Sequence, residues 1–144
     1  MEVIETRAAL LSNYEVLQLL SERIEGQKQR QKDESNIEYP ENLRTIQFEI
    51  KTALENSPCS TQDEKQLADF LEAMKTWRLT KAEKLQILNL RPKTPVDLHI
   101  LIEECEERYG PEELEQFLEL ILKVLPRDDD DVVEEDEDID EAEA

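Results

Sequence analysis

Repeated helix-start signals constrain the fold of this chain more than any other sequence feature. In the capping box Ser/Thr-x-x-Glu, the hydroxyl accepts a hydrogen bond from the glutamate amide, and the carboxylate accepts one from the amide of the Ser or Thr. This spacing occurs at Ser12–Glu15, Thr61–Glu64 and Thr80–Glu83, and Thr94 precedes Pro95, a residue favoured at the first helical position. The chain of 144 residues has only 2 glycines and 5% aromatic residues, which disfavours turns and strands. We therefore expect an all-α fold.

Apolar residues at helical spacing follow these signals and predict six helices. The helices fall near residues 12–24, 42–56, 61–74, 80–91, 94–110 and 111–126, with Gly110 in the left-handed conformation that often ends a helix. The first helix carries an apolar stripe of Val16, Leu17, Leu20 and Ile24. In the other five, the residues predicted to face inward are Leu43, Ile46, Ile50, Ala53 and Leu54; Leu67, Phe70, Leu71 and Met74; Ala82, Leu85 and Leu88; Val96, Leu101, Ile102 and Cys105; and Leu114, Phe117, Leu118, Ile121, Leu122 and Leu125.

Two polar stretches divide the chain into three parts. Residues 25–41 include Gly26 and Pro40 and lack an apolar pattern, so most of this stretch is predicted to be a mobile linker. The predicted parts are an N-terminal docking helix with its linker (residues 1–41), a small helical domain (42–126) and a disordered acidic tail (127–144). The second helix fits either of the first two parts.

The charge of the chain is concentrated in the acidic tail. Its residues 128–144 hold 12 of the 37 acidic residues and none of the 17 basic ones, so residues 1–127 carry 17 − 25 = −8 of the net charge of −20. Neither part has the basic surface that binding to a phosphate backbone requires, and we expect nucleic-acid contact only weakly or through a partner. The tail either keeps the chain in solution or docks transiently on basic surfaces.

No constellation for catalysis, metal binding or a cofactor is evident in the sequence. Cys59 and Cys105 lie far apart without CxxC spacing and are expected to be buried thiols. His99 is the only histidine and has no nearby Cys or Ser to activate, so a structural role at a surface or half-buried position is expected. The sequence also shows neither a secretory signal nor a run of about 20 apolar residues that would span a membrane. We expect a protein without an active site of its own.

The N-terminal segment, residues 8–20, is unusually apolar for a short helix that precedes a linker. An isolated helix of this length is marginal in water unless it packs on a surface. Two alternatives follow: the segment packs on the chain's own domain, or a partner's groove binds it. The residues that such a groove would bind are Leu10, Leu11, Tyr14, Val16 and Leu17.

Two stretches of sequence carry a resemblance to a known family. They are LSNYEVLQLL at residues 11–20 and LTKAEKLQILNLRP at residues 79–92, and the second continues to EECEER at residues 103–108. By these motifs and their order, the chain resembles the smaller stalk subunit of RNA polymerase III, a family also described as calcitonin gene-related peptide receptor component proteins. The resemblance implies an HRDC-like helical domain and a non-catalytic nuclear subunit.

The resemblance also implies partners. In that family the subunit pairs with a larger stalk subunit that carries an OB-type barrel. The heterodimer projects from the polymerase core, contacts initiation factors and supports synthesis of small structured RNAs such as transfer RNA and 5S ribosomal RNA. By the same resemblance, partner docking is assigned to residues 10–17, which include Asn13. Leu85, Asn89, Arg91 and Pro92 are assigned a structural role, with Arg91 expected to cap carbonyls of its own preceding helix.

Two other functions remain open at this point. The chain could act as an intracellular adaptor that couples a membrane neuropeptide receptor to signalling, as the receptor-component name implies for the family. It could also act as an acidic chaperone for basic proteins, an activity that the tail would carry.

Overall fold

In a computed structural model, the described residues, 2–128, form helices and turns with no strand. The elements are α1 (Asn13–Asp33), α2 (Glu41–Glu55), a 3-10 turn (Pro58–Thr61), α3 (Glu64–Met74), α4 (Lys81–Leu90), α5 (Pro95–Leu101), α6 (Cys105–Arg108) and α7 (Pro111–Val124). The expected all-α fold is therefore confirmed. Nearly all of the acidic tail lies outside the described residues.

Most of the predicted helix starts are correct. Full capping boxes begin α1 at Ser12, α4 at Thr80 and α5 at Thr94, and Pro111 opens α7. The box predicted at Thr61 is wrong, because Pro58 starts a 3-10 turn that includes this residue. Asp63 caps α3 instead, with its carboxylate accepting from the amide of Gln66 at 2.8 Å.

Helices α3 to α7 enclose the hydrophobic core. Trp77 packs at its edge, with ring centroids 4.4 Å from Phe117 and 5.6 Å from Tyr109. The apolar stripe of α7 is buried as predicted except for half-buried Leu122. The buried residues of this core are Phe70, Met74, Ile87, Leu88, Leu98, Ile102, Cys105, Tyr109, Leu114, Phe117, Leu118, Ile121 and Leu125.

Several residues predicted to be inside the core are at the surface. Val96 is 65% exposed and Leu71 is 56% exposed, and Ala82 is also exposed. Helices of only 7 to 11 residues present a narrow stripe to the core, and apolar side chains at its margin stay in solvent.

The single helix predicted for residues 94–110 is two helices. The first ends at Ile102, whose backbone is extended, and Glu104 adopts a left-handed conformation with φ 52° before α6 begins. The break leaves both Ile102 and Cys105 buried. The left-handed assignment of Gly110 is also wrong: its φ is −77°, and it precedes α7 as the N-cap.

The predicted linker is shorter than expected, because α1 continues to Asp33. The second half of α1 is rich in Gln, Lys and Arg, which favour helix, and α1 packs against α2. Ile24, Gln27 and Lys28 meet Tyr39 and Phe48 across a shallow cleft between the two helices. Residues 34–40 then connect α1 to α2.

Helix α2 does not bury the face that was predicted to point inward. Leu43, Ile46 and Ile50 are 37%, 52% and 42% exposed, Ala53 is exposed and Leu54 is half-buried. The core is already closed by α3 to α7, and α2 packs mainly against α1 and the 3-10 turn. The described chain therefore leaves this apolar face largely uncovered.

Two arginines hold the helical domain together. Arg108 forms an ion pair with Glu83 at 2.7 Å and also donates to the carbonyl of Arg78, so it joins the end of α6 to the start of α4. Arg91, at the C-terminal end of α4, is 3% exposed and donates from Nε to the Leu125 carbonyl at 2.6 Å. Arg91 caps its own preceding helix, as predicted, because its backbone amide donates to the carbonyl of Ile87 at 2.8 Å. Its side chain in addition caps the end of α7.

Candidate partner-docking surface

The start of α1 is fixed to the helical domain. Ser12 Oγ accepts from the amide of Glu15 at 3.2 Å, and the Glu15 carboxylate accepts from the amide of Ser12 at 3.1 Å. The amide of Asn13 donates to Oδ1 of Asn89 in α4 at 2.8 Å, and Ser12 is 1% exposed. This end of the N-terminal segment packs on the chain's own domain, which was one of the two alternatives.

The motif Asn89-x-Arg91-Pro92 gains a structural explanation from these contacts. Asn89 binds the first turn of α1, and Arg91 binds the last turn of α7. Pro92 is buried directly after the left-handed Arg91, whose φ is 47°. The end of α4 therefore ties the N-terminal helix and the last helix to one place.

The leucines just before α1 stay in solvent. Leu10 is 77% exposed and Leu11 is 42% exposed. Leu10 lies at a cavity of about 560 Å³ whose apolar walls come from α3 and α4, among them Leu67, Phe70 and Leu85. Apolar side chains at a concave apolar surface are typical of protein-binding sites.

The other predicted docking residues have mixed surroundings. Tyr14, Val16 and Leu17 are half-buried, and Asn13 is half-buried as well as bonded to Asn89. Val16 lines a shallow depression with Leu19 and Leu20, and Leu19 is 43% exposed. The assignment of these residues to a partner stays a prediction.

The uncovered face of α2 is a second apolar surface, and the sequence analysis assigned it to the core. It consists of Leu43, Ile46 and Ile50, spaced at i, i+3 and i+7. Phe48, which is 69% exposed, lies on another side of α2, at the cleft with α1. An amphipathic stripe shows that a helix face needs a cover but does not show which chain supplies the cover. The sequence therefore held no signal that would separate this face from a core face.

Within residues 2–128, no group of three or more His, Cys, Asp or Glu side chains is placed to hold a metal ion. Cys59 and Cys105 are buried thiols, as expected, and burial raises the pKa of Cys105. His99 lies at the surface. A search of the same residues finds no helix with the length and hydropathy to cross a bilayer.

The Glu83–Arg108 pair is an ionic contact in which both partners have shifted pKa values. The hydrogen bond from Arg108 lowers the pKa of Glu83, helped by the backbone amide of Thr80 and opposed by burial. The same hydrogen bond raises the pKa of Arg108. Both groups thus stay charged at neutral pH, and their contacts are with helix ends and carbonyls of the domain itself.

Comparison with known proteins places these features in a family. The sequence profile of the RNA polymerase Rpb4 family matches residues 10–125, from exposed Leu10 to the carbonyl that Arg91 binds. A DNA-directed RNA polymerase III subunit rpc9 from Schizosaccharomyces pombe is 36% identical over 129 residues, covering 88% of this chain and all of that protein.

Two further relatives have the same assigned role. The subunit RPC9 of Saccharomyces cerevisiae is 29% identical, covering 84% of this chain and 98% of its own. The subunit rpc9 of Dictyostelium discoideum is 31% identical, covering 85% and 92%. Because the family profile spans most of the sequence and the relatives match along almost their whole length, the chain belongs to the RNA polymerase Rpb4 family.

Proposed function

We propose that this chain is a non-catalytic subunit of DNA-directed RNA polymerase III and forms a two-chain stalk with a larger, OB-barrel subunit. In this role it supports transcription initiation of small structured RNAs, including transfer RNA and 5S ribosomal RNA, in the nucleus. The observation that carries the proposal is the end-to-end similarity to three proteins named as subunits of this polymerase.

The exposed apolar residues of the N-terminal half support a docking role. Leu10, Leu11 and the α2 face lie outside the core, and α1 and α2 have no buried hydrophobic residue between them. Burying a leucine or isoleucine side chain contributes about 1.5–3 kcal/mol, so a partner that covers two or three of them gains a substantial part of its binding energy there. We assign the larger stalk subunit to this surface.

The negative charge of the chain favours a supporting role at the polymerase, in which other subunits bind the nucleic acid. Residues 1–127 carry 17 − 25 = −8. An acidic surface repels a phosphate backbone, so we assign to this chain contacts with the polymerase core and with initiation factors.

Affinity purification from nuclear extract tests this proposal. The tagged chain is compared with a Leu10→Asp, Leu11→Asp variant, whose substitutions precede α1 and leave its capping box intact. The matched control is Val96→Asp, at an apolar residue that is 65% exposed on α5. Wild type and control should recover the polymerase III core and the larger stalk subunit. The docking variant should recover at least about tenfold less, since two apolar contacts are lost.

The other functions give different outcomes in the same experiment. If the wild-type chain recovers no polymerase subunit and brings down a membrane receptor instead, it is an adaptor. If it recovers histones or other basic proteins, and loses them when residues 128–144 are removed, it is an acidic chaperone. An equal loss from both variants would show that the N-terminal leucines are not the docking surface.

A further inference from the structure

A groove of about 650 Å³ lies on the helical domain, and the docking leucines do not line it. Its walls come from the 3-10 turn, from the end of α4, from α5 and from the chain just after α7. Leu90 and Ile100 form an apolar wall and are 57% and 77% exposed. We refer to this cavity as the Arg91 groove.

The charged side chains that line the Arg91 groove are mainly cationic, whereas the chain as a whole has a negative net charge. Among the described residues, Arg91, Lys93 and Arg127 line it with cationic side chains and Asp97 lines it with a carboxylate. The carboxylate of Asp97 accepts from the amides of Lys93 and Thr94 at 3.2 and 3.0 Å, so local donors already satisfy it. A cationic groove in a chain of net charge −20 favours an acidic occupant.

The position of the groove indicates which acidic segment lies nearest to it in the sequence. Arg91 is fixed by its bond to the Leu125 carbonyl, and Arg127 is the residue that precedes the acidic part of the tail. Residues 128–144 hold 12 acidic residues and no basic ones, together with Val132, Val133 and Ile139. This composition matches a groove with cationic and apolar walls.

We propose that the Arg91 groove binds the chain's own acidic tail. Because the tail belongs to the same chain, this contact is intramolecular, and its short sequence separation from Arg127 gives it an effective concentration in roughly the millimolar range. The contact brings the carboxylates of residues 128–144 to Arg91, Lys93 and Arg127, and covers Leu90 and Ile100 with apolar tail residues. An acidic segment of another protein that fits the groove must displace the tail first.

Amide chemical shifts measured by NMR test the proposal on the full chain and on a chain that ends at residue 128. The truncated chain keeps every core residue, since the last of them is Leu125. Truncation should shift amides around Leu90–Leu101 and Arg127. A synthetic peptide of residues 128–144, added to the truncated chain, should restore the shifts. The effect should be lost near 1 M salt, where the screening length is about 3 Å.

Charge reversal separates a specific groove from general attraction. Lys93→Glu should weaken binding of the added peptide about two- to fivefold, as expected for one largely exposed ion pair. Adding Ile100→Asp should weaken binding further by removing the apolar wall. The control is Lys65→Glu on α3, whose side chain is 88% exposed and does not line the groove, and it should leave binding unchanged.

Four outcomes would overturn the proposal. Truncation without shift changes around the groove would show that the tail does not bind there. Equal effects of Lys65→Glu and Lys93→Glu would show unspecific charge attraction. If an unrelated acidic peptide with apolar residues binds the truncated chain and the tail peptide does not, the groove belongs to a partner. Shifts that vary with protein concentration would point instead to a second copy of this chain.

Discussion

At the scale of single residues, the Glu83–Arg108 pair holds two parts of the domain together. Glu83 belongs to the capping box of α4, and its side chain is 9% exposed; Arg108 reaches it from the end of α6. We expect Glu83→Gln to lower the free energy of unfolding by about 2 kcal/mol at pH 7, because hydrogen bonds to charged groups contribute about 1.5–3 kcal/mol. The control Glu55→Gln, in an exposed pair with Lys51, should change it by less than about 0.5 kcal/mol.

The same pair predicts a pH dependence. The folded pKa of Glu83 lies below its ordinary value of 4.5, mainly because of the hydrogen bond from Arg108. A lowered pKa stabilises the fold above the ordinary value, and this contribution is lost as pH falls through the folded pKa. Urea unfolding of wild type and Glu83→Gln should therefore converge at acidic pH. A difference that stays constant down to low pH would mean that the carboxylate charge of Glu83 does not contribute.

How far the sequence predicts individual residues depends on the range of their contacts. The capping boxes predicted at Ser12 and Thr80 and the cap predicted at Thr94 join residues three positions apart and are confirmed, whereas the box predicted at Thr61 is wrong. The amide of Arg91 caps its preceding helix locally, as predicted, but its side chain binds the Leu125 carbonyl, 34 positions away, which no local pattern indicated. A local pattern specifies local hydrogen bonds, whereas distant ones depend on how the helices pack.

At the scale of helices, the length of α1 is the clearest departure from the sequence prediction. Gly26 and the polar residues after it favoured a linker, yet α1 continues to Asp33. Gly26 has a negative φ, and a Cβ built on it meets no atom within 4 Å. We expect Gly26→Ala to stabilise this half of α1 by about 0.5–1 kcal/mol, because alanine loses less conformational entropy in a helix. Gly26→Pro should weaken it by about 3 kcal/mol.

Circular dichroism at 222 nm and amide exchange of residues 25–33 would measure both changes. Helical signal should rise with alanine and fall with proline. If neither substitution alters the signal, residues 25–33 are not helical in solution and the linker prediction is correct for them. The two variants also control for each other, because an effect common to any substitution at Gly26 would change the helical signal in the same direction in both.

Helix α2 shows a different limit of sequence reasoning. Its stripe was predicted correctly as one face of a helix, and its bounds were predicted within one residue. The error concerns what covers the face, because Leu43, Ile46 and Ile50 are at least a third exposed. Amphipathic spacing indicates that one face of a helix is buried. Burial against the chain's own core and burial against a partner give the same spacing.

At the scale of the whole molecule, the described residues form two zones of different stability. Buried hydrophobic side chains of the core lie between Phe70 and Leu125, whereas α1 and α2 contribute none. A helix pair without buried contacts opens at low free energy, and a core opens only near the global free energy of unfolding. Residues 42–56 therefore belong to the helical domain if they unfold together with its core, and to the N-terminal part of the chain if they unfold separately.

Native-state hydrogen exchange answers that question and tests the docking surface together. In the free chain, amides of α2 should exchange through local opening, at least about a hundredfold faster than those of α4 and α7, a difference of about 2.7 kcal/mol or more. Added larger stalk subunit should slow exchange in α1 and α2 first, since a ligand stabilises the state that it binds. Equal protection of α2 and α7 in the free chain would place residues 42–56 in the cooperative domain. Protection gained only in α5 would show that the partner binds another face, and Leu10, Leu11 and the α2 stripe would then need a different cover.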